Sequence, residues 1–474
     1  FTKLKYSKNK LSKNKLGINM FIGRHKELQQ IQQSLKINKS TAILVYGRRR
    51  IGKTSLINET LKSYTGIKIV YTAIPDEIEK NALNLSKLTG SILEEPWMNF
   101  SNLKDYLAYI SKRKEEIVLV IDEYQDIRGK DEKQALIIDA CLRDFIDYKK
   151  DNIKLIISGS AVRILQNLSG DNTNPLFGRF SCVINLQELN YIEASEFYKN
   201  SSIMEKIGYY AVFGGLPNIL SLIDEEKGLV GNIESLLLQP EGLARYYIET
   251  VLSTEVSTIN NGNIIVRRIG NGKKHYAEIE STIQEEKARK QLSKTLSELM
   301  ESQLIEKQYP INKLNDKKKS FYVIKSNLLR FWFAYLDGFS GIINASAFFE
   351  KYITPSLKTF ISYRFENVIK QYFAILNRPD IISIGSYWYD DKKAKRNGEF
   401  DIALETITGY EIYEAKYYEK PITCDLVKEE LEKALKIEGI SLNDFGIVSA
   451  SGFENVEFPI KTISGTDLYS LTEK

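Results

Sequence analysis

The stretch Thr41–Lys62, TAILVYGRRRIGKTSLINETLK, restricts the fold of this chain more than any other. An apolar run, Ala42–Tyr46, enters the pattern Gly47-x4-Gly52-Lys53-Thr54, and a helical pattern leaves it. Glycines at both ends of such a loop let the backbone aim its N–H groups at one point, and the following helix adds its positive end there. A lysine and hydroxyl residues at that point suit a polyphosphate and its Mg²⁺. The spacing predicts a nucleoside-triphosphate site cradled by Gly47, Gly52, Lys53, Thr54 and Ser55. Lys53 would neutralise β/γ-phosphate charge and Thr54 would ligate Mg²⁺. A plain glycine turn between strand and helix would leave Lys53 and Thr54 unexplained.

Such a site needs a second strand ending in an acid. EEIVLVIDEYQDI supplies one: Ile117–Ile121 are apolar, and Asp122 and Glu123 follow. Asp122 suits a direct or outer-sphere Mg²⁺ contact, and Glu123 suits orientation of an attacking water; a buried strand with an acidic turn is the alternative. A third strand, Asn152–Ala161, ends in Ser158 and Ser160, where a hydroxyl can sense the γ-phosphate. Strands alternating with helical stretches imply a parallel, doubly wound sheet with its ligand at the strand C-termini.

Composition limits the remaining chemistry. Only two histidines, His25 and His275, occur in 474 residues, and the three cysteines (Cys141, Cys182, Cys424) lack C-x-x-C spacing. Zinc sites and histidine acid–base catalysis are thereby disfavoured, so catalysis rests on carboxylates, lysines, arginines and oxygen-bound metal ions. Scattered thiols suit a reducing compartment, and the expected location is cytoplasmic. No apolar run approaches the ~18 residues that span a bilayer, and no secretory h-region follows the basic N-terminus. The net charge of +5 includes six lysines within residues 1–19, so the remainder carries −1. Nucleic-acid contact would therefore use local patches. Residues 1–19, with the direct repeat Ser7–Leu11 and Ser12–Leu16, read as a disordered tail, and Met20 as the natural start.

Seven stretches then occur in a telling order: FIGRHKEL (Phe21–Leu28), the glycine loop, VIDEYQDI, SGSAVRIL, PLFGRF (Pro175–Phe180), ELNYIEASEFY and FGGLPNIL (Phe213–Leu220). Together they resemble the archaeal-type ATPases of the STAND/AAA-like P-loop group. The resemblance implies ATP and Mg²⁺ as cofactors, with Gly23 and Arg24 bordering the base. It implies that Arg179 approaches the γ-phosphate, in cis or from a neighbouring subunit, and that Pro217 shapes a helical lid. Arg24 and Arg179 also fit surface ion pairs, and Pro217 an architectural role.

From Tyr276 the pattern changes. A short helical stretch precedes the amphipathic Glu286–Lys307, with Leu292, Leu296, Leu299 and Met300 on one face. Two β-like pieces, LIEKQYPI and KSFYVIK, flank the basic turn Asn312–Ser320. Helix, helix and hairpin form a winged helix-turn-helix signature. Lys287, Arg289, Lys290 and Lys294, with Lys317–Lys319 on the wing, would meet nucleic acid, DNA in preference to RNA; a packing module with a solvated face is the alternative. The aromatics of Ser326–Leu336 fit a core.

The C-terminal stretch reads as helix Ser362–Leu376, strands in IGSYWYDD, GEFDIALE and YEIYEAKYY, helix DLVKEELEKALKI and strand FGIVSAS. A hairpin with Ile407-Thr408 at its tip pairs residues whose numbers sum to 815, setting Asp401 opposite Glu414, with Lys416 on the same face. Two adjacent carboxylates suit a divalent cation between them, and Lys416 a water or developing charge. Glu366 is a further expected ligand, and Asp391–Gly398 a basic loop for a nucleic-acid backbone. These elements resemble the PD-(D/E)XK nuclease superfamily, matched at Glu399–Ile402, Glu414–Lys416 and Ser449–Phe453; a surface hairpin with a Glu–Lys pair is the alternative. The resemblance implies Asp401, Glu414 and Lys416 as catalytic residues, with Glu366, Asp401 and Glu414 on Mg²⁺.

The expected organisation is multidomain α/β. A disordered tail (1–19) precedes a P-loop ATPase domain with a parallel αβα sheet (20–190), a helical lid (191–262), a winged helix (263–336) and a restriction-endonuclease-like α/β domain (337–474). The expected function is an ATPase controlling a Mg²⁺-dependent nuclease-like domain on nucleic acid, as a homo-oligomer or with a partner protein. The alternative is an ATP-driven signalling or scaffold switch that binds without cutting.

Overall fold

The computed structural model describes residues 21–37, 41–129, 131–270, 272, 274–314, 316–391, 396–435, 442–454 and 460–471. The expected tail 1–19, Met20 and residues 392–395 of the basic loop lie outside them.

Five strands build the first sheet: β1 (Thr41–Tyr46), β2 (Ile67–Thr72), β3 (Ile117–Asp122), β4 (Ile153–Gly159) and β5 (Cys182–Asn185). Their order is β2-β3-β4-β1-β5, and every pairing is parallel. β1, β3 and β4 are buried along their whole length, which is why they read as unbroken apolar runs and not as alternation. One face packs Ile43, Val45, Val118, Val120 and Ile156 towards helices His25–Lys36 and Lys53–Lys62. The other packs Leu44, Leu119, Ile121, Leu155 and Ile157 against helices Ile78–Ile92, Leu103–Ile110 and Glu132–Tyr148. β4 thus separates the strand that feeds the glycine loop from the strand that ends in Asp122.

After β5 the chain is helical as far as Ile269. Gly215 lies so close to Leu189 that a Cβ there would meet a carbonyl oxygen at 2.0 Å. Helix Ile203–Phe213 precedes that contact and is buried for most of its length. Helices Tyr276–Ser281 and Glu286–Glu301 then lead into a two-stranded antiparallel pair, β6 (Ile305–Gln308) and β7 (Phe321–Ile324). The helix expected over Glu286–Lys307 stops at Glu301, because Gln303 is left-handed (φ 57°) and Ile305 enters the β-pair.

The C-terminal sheet contains β8 (Ile381–Asp391), β9 (Arg396–Thr406), β10 (Gly409–Lys416), β11 (Leu442–Ser449) and β12 (Lys461–Ser464), in the order β12-β11-β10-β9-β8. β8, β9 and β10 are antiparallel neighbours, while β10, β11 and β12 are parallel. β12 and the closing helix Gly465–Tyr469 were not singled out in the sequence. Helix Thr354–Leu376 covers one face, with Phe373 4.6 Å from Tyr413 and Phe365 6.1 Å from Tyr417 between ring centres. Helix Cys424–Leu435 covers the other, packing Val427 and Ala434 with Ala403, Ile412, Phe445 and Ile447. On β10, Glu411 accepts both guanidinium nitrogens of Arg378 (2.9 and 2.8 Å), Lys461 Nζ (3.0 Å) and the Tyr413 hydroxyl (2.9 Å).

Helix Ile203–Phe213 is a common anchor. Tyr210 bonds Gln371 of helix Thr354–Leu376, and Tyr417 donates to the Met204 carbonyl. The closing helix returns to the same neighbourhood: Tyr191 donates to the Leu468 carbonyl at 2.6 Å, and the Tyr191 and Tyr469 rings lie 5.2 Å apart. Among the described residues no helix is long and apolar enough to cross a membrane.

Candidate functional site

The glycine loop bridges β1 and helix Lys53–Lys62. Gly52 takes φ 98°, which places the helix N-terminus squarely behind the loop and strongly favours glycine. A Cβ on Gly47 would meet the Leu186 carbonyl oxygen at 2.5 Å. Lys53 is buried, and its Nζ donates to the carbonyls of Gly47 (2.9 Å) and Arg48 (3.0 Å). Burial pushes this ammonium down, while Glu123, Asp122 and Glu255 pull it part of the way back. Thr54 and Ser55 are exposed at the helix start.

At Asp122 the ends of β3 and β4 meet the start of helix Lys53–Lys62. Thr54 Oγ1 donates to Asp122 Oδ2 at 2.8 Å; Ser158 Oγ, from β4, donates to Oδ1 at 2.5 Å; the Glu123 amide donates to Oδ1 at 3.0 Å. Glu123 takes left-handed dihedrals (φ 52°, ψ 46°) directly after the strand. A non-glycine residue there costs roughly 1–3 kcal/mol and such strain gathers at functional sites. Its carboxylate is held by Ser160 Oγ (2.8 Å) and the Gln125 amide. Gln125 was not singled out in the sequence; its position two residues past Glu123 on a left-handed turn is the signal that points to it.

Thr54 and Asp122 are hard oxygen donors side by side, the kind Mg²⁺ takes when phosphates and waters complete its shell. Among the described residues no group of three or more His, Cys, Asp and Glu side chains gathers to hold a metal. An ion here would thus depend on the nucleotide's own oxygens.

The expectation that Ser158 faces the γ-phosphate needs correction. Its hydroxyl is fully buried and committed to Asp122, because β4 lies next to β3 and directs that side chain sideways. Arg24 is 4% exposed, so it is no surface pair. Its guanidinium donates to the carbonyls of Ile51 (3.3 Å) and Gln187, and its amide to Glu193 at 2.6 Å. Gly23 sits against the same glutamate: a Cβ there would lie 2.7 Å from Glu193 Oε1. Arg179 is half exposed and paired with Asp147 at 2.8 Å. Two residues later Ser181 bonds the Ala42 carbonyl, at the entrance of β1. The loop leaves the exit of that strand, roughly 15 Å away at about 3.3 Å per residue. Arg179 is therefore out of reach of the phosphate cradle of its own chain in this conformation.

A second polar centre lies on the C-terminal sheet. β9 and β10 pair with numbers summing to 815 from Gly409↔Thr406 to Tyr413↔Ile402, so the next rung sets Asp401 beside Glu414. Lys416 Nζ lies 3.7 Å from Glu414 Oε2 and 3.2 Å from Glu430 Oε1. Burial pushes the Glu414 carboxyl up, Glu430 and Asp401 push the same way, and Lys416 opposes them. Glu430 was not foreseen. It falls between Val427 and Ala434 on the buried stripe of its helix, and an acid in that register is the clue the sequence offered.

Glu366 does not join this centre. Residues 412, 414 and 416 face helix Cys424–Leu435, whereas Tyr413 and Tyr417 face helix Thr354–Leu376, which carries Glu366. The sheet stands between them. Glu366 acts instead on Arg330 and Arg364. The basic helix residues Lys287, Arg289, Lys290 and Lys294 are exposed. Lys319 is not free on its turn: its Nζ stacks 3.6 Å from the centre of the Trp388 ring.

Residues 21–223 match the model of an ATPase domain found predominantly in Archaea. An uncharacterized protein of Methanocaldococcus jannaschii, MJECL04, is 25% identical over 375 residues, 78% of this chain and 82% of that protein. An uncharacterized ATP-binding protein of the same organism, MJ0423, is 45% identical over 47 residues, 10% of this chain and 80% of that protein. Among solved structures, a Walker-type ATPase of Pyrococcus abyssi aligns with TM-score 0.47 and 17% identity, over 66% of this chain and 96% of its own. The ORC2 protein of Aeropyrum pernix aligns with TM-score 0.40 and 13% identity, over 73% of this chain and 97% of its own.

Proposed function

We propose that this chain, whose residues 21–223 match the model of an ATPase domain found predominantly in Archaea, binds ATP with Mg²⁺ at Gly47–Thr54, hydrolyses it, and uses the cycle to act on nucleic acid, DNA in preference to RNA. The observation that carries the reading is the junction of Thr54, Ser158 and Asp122, with Glu123 held beside it by Ser160. Lys53 leaves its two backbone carbonyls and neutralises the β/γ-phosphates, while the N–H groups of the loop and helix bind their oxygens. Thr54 and Asp122 would hold Mg²⁺, which would supply charge neutralisation to the phosphates when bound. Glu123, fixed by Ser160 and Gln125, orients the attacking water. Gly23 and Arg24 border the base, and Arg24 ties the loop to Gln187. Arg179 completes a neighbour's site in a homo-oligomer.

The finer part of the proposal is a helical lid, a winged helix over 263–336 and a nuclease-like domain in which Asp401 and Glu414 would hold Mg²⁺ and Lys416 would stabilise developing charge. One observation favours the alternative of a switch that binds without cutting: Glu430 already occupies Lys416 at 3.2 Å, and Glu366 lies across the sheet. The deciding experiment measures ATP hydrolysis by wild type and Lys53→Ala, and cleavage of single- and double-stranded DNA and RNA in Mg²⁺ by wild type, Asp401→Ala and Lys416→Ala. Hydrolysis that survives Lys53→Ala removes the P-loop reading. Cleavage that survives both C-terminal substitutions removes the nuclease reading, and no cleavage by wild type favours the switch.

A further inference from the structure

The glycine loop carries cations that phosphate binding and hydrolysis, as described, leave unused. Arg48, next to Gly47, is 5% exposed, and its Nε and Nη2 have no hydrogen-bond acceptor. Its ion-pair partner Glu255 stands 3.5 Å from Nε, at the limit of a hydrogen bond and poorly aligned for one, while Tyr247, Glu255 and Glu188 together offset the burial of the guanidinium by charge. A buried guanidinium left this poorly satisfied is costly unless another arrangement uses it. Glu255 sits on a wide turn, Leu252–Val256, continuing helix Leu243–Val251 with one extra residue per turn. Such turns are rare and frequent at functional sites. Arg50 braces the same helix, its guanidinium 5.9 and 5.4 Å from the ring centres of Tyr246 and Tyr247. The charge of Glu255 also acts on Lys53. Glu255 therefore acts on both buried cations of the loop, beside Glu188 at Arg48 and beside Glu123 and Asp122 at Lys53.

We infer that Glu255 is a positioning residue that competes with the nucleotide's polyphosphate for Arg48 and Lys53, so that ATP binding draws these cations away and loosens the turn Leu252–Val256. The inference rests on the reading of Gly47–Thr54 as an ATP site. Polyphosphate has the acceptors that the idle Arg48 nitrogens lack, and it outbids a single carboxylate 3.5 Å away in charge. Loosening the turn has somewhere to go. A few residues on, the Asn260 carbonyl accepts from Thr295 Oγ1 (3.0 Å) and its amide donates to Gln291 (2.7 Å), both on helix Glu286–Glu301. That helix bears the exposed Lys287, Lys290 and Lys294. The nucleotide's charge would thus be read out, through Glu255, at the basic helix.

The test is isothermal titration of the full chain with Mg²⁺ and ATP, ADP or AMP, using wild type, Glu255→Gln, Arg48→Met and the double variant. Glu255→Gln should bind ATP about five- to tenfold more tightly, one charge acting across a partly solvated gap. The gain should shrink for ADP and vanish for AMP, a gradient that a purely structural change would not produce. Arg48→Met should weaken ATP binding and reduce the gain in the double variant. Glu255→Gln binding ATP no tighter than wild type, or gaining equally for AMP, overturns the inference. Should Glu255→Gln fail to fold, Arg48→Met decides alone: ATP affinity equal to wild type overturns it. Failure of the underlying reading looks different, because wild type would then bind no ATP, or Lys53→Ala would bind it equally well.

Discussion

Glu366 and Glu414 lie on opposite faces of one sheet, separated by the thickness of β10. Glu366 consequently belongs to the arginines behind the sheet. Burial pushes the Arg364 guanidinium down to about 9, Arg330 pushes it the same way, and Glu366 opposes both. Glu366→Gln should therefore lower stability by about 2 kcal/mol, since it leaves two buried cations less compensated. It should leave divalent-ion binding on the sheet's other face unchanged. Chemical denaturation and metal titration of the same variant check both halves; lost ion binding at full stability would return Glu366 to the metal.

Glu123 and Ser160 should separate by size of effect. Glu123→Gln should lower kcat for ATP hydrolysis by about a hundredfold or more while leaving ATP affinity near wild type. Ser160→Ala removes only a 2.8 Å support of that carboxylate and should cost about tenfold, also in kcat. Steady-state kinetics with a separate binding measurement tests the split. Equal losses would mean that Ser160 meets the nucleotide itself.

Glu411 should give the C-terminal sheet an acid limit. Burial pushes its carboxyl up, but Arg378, Lys461 and Tyr413 more than offset this and hold it at about 2. Its folded value lies below the ordinary 4.5, so its stabilisation is complete above 4.5 and drains away as pH falls towards 2. Thermal midpoints of wild type between these limits should fall more steeply than those of Glu411→Gln, which starts lower at neutral pH. Parallel curves would assign the acid sensitivity elsewhere.

Leu119, fully buried in the middle of β3, tests the core that carries Asp122. Leu119→Ala should cost about 2–5 kcal/mol through lost burial and the cavity left behind. The reading is the urea midpoint of the wild-type and variant chains. A change below 1 kcal/mol would mean that the sheet collapses around the gap.

Local chemistry was legible in advance, and facing was not. The glycine loop, the apolar strands before Asp122 and Ser158, and the 815 register of β9 and β10 all depend on neighbours in sequence or on a two-residue turn. Ser158 was placed on the correct strand end, but only the order β3-β4-β1 reveals that its hydroxyl turns towards Asp122. Glu366 joins the wrong face and Glu430 goes unnoticed for one reason: a helix's own pattern says which side is buried, never which face of a sheet it covers. β12 escaped notice because four residues of Lys-Thr-Ile-Ser carry too little periodicity to stand out.

Helix Ile203–Phe213 receives Gln371 near the way into the C-terminal sheet, and Tyr191, on the short helix before it, takes the closing helix near the way out. The opposite edge is fastened as well: on β8, Trp388 exchanges two hydrogen bonds with Asn312 (2.8 and 3.0 Å) and carries Lys319 over its ring. A sheet clamped along both edges cannot swing by itself, so a shift of the turn between β6 and β7 would reach β8 directly.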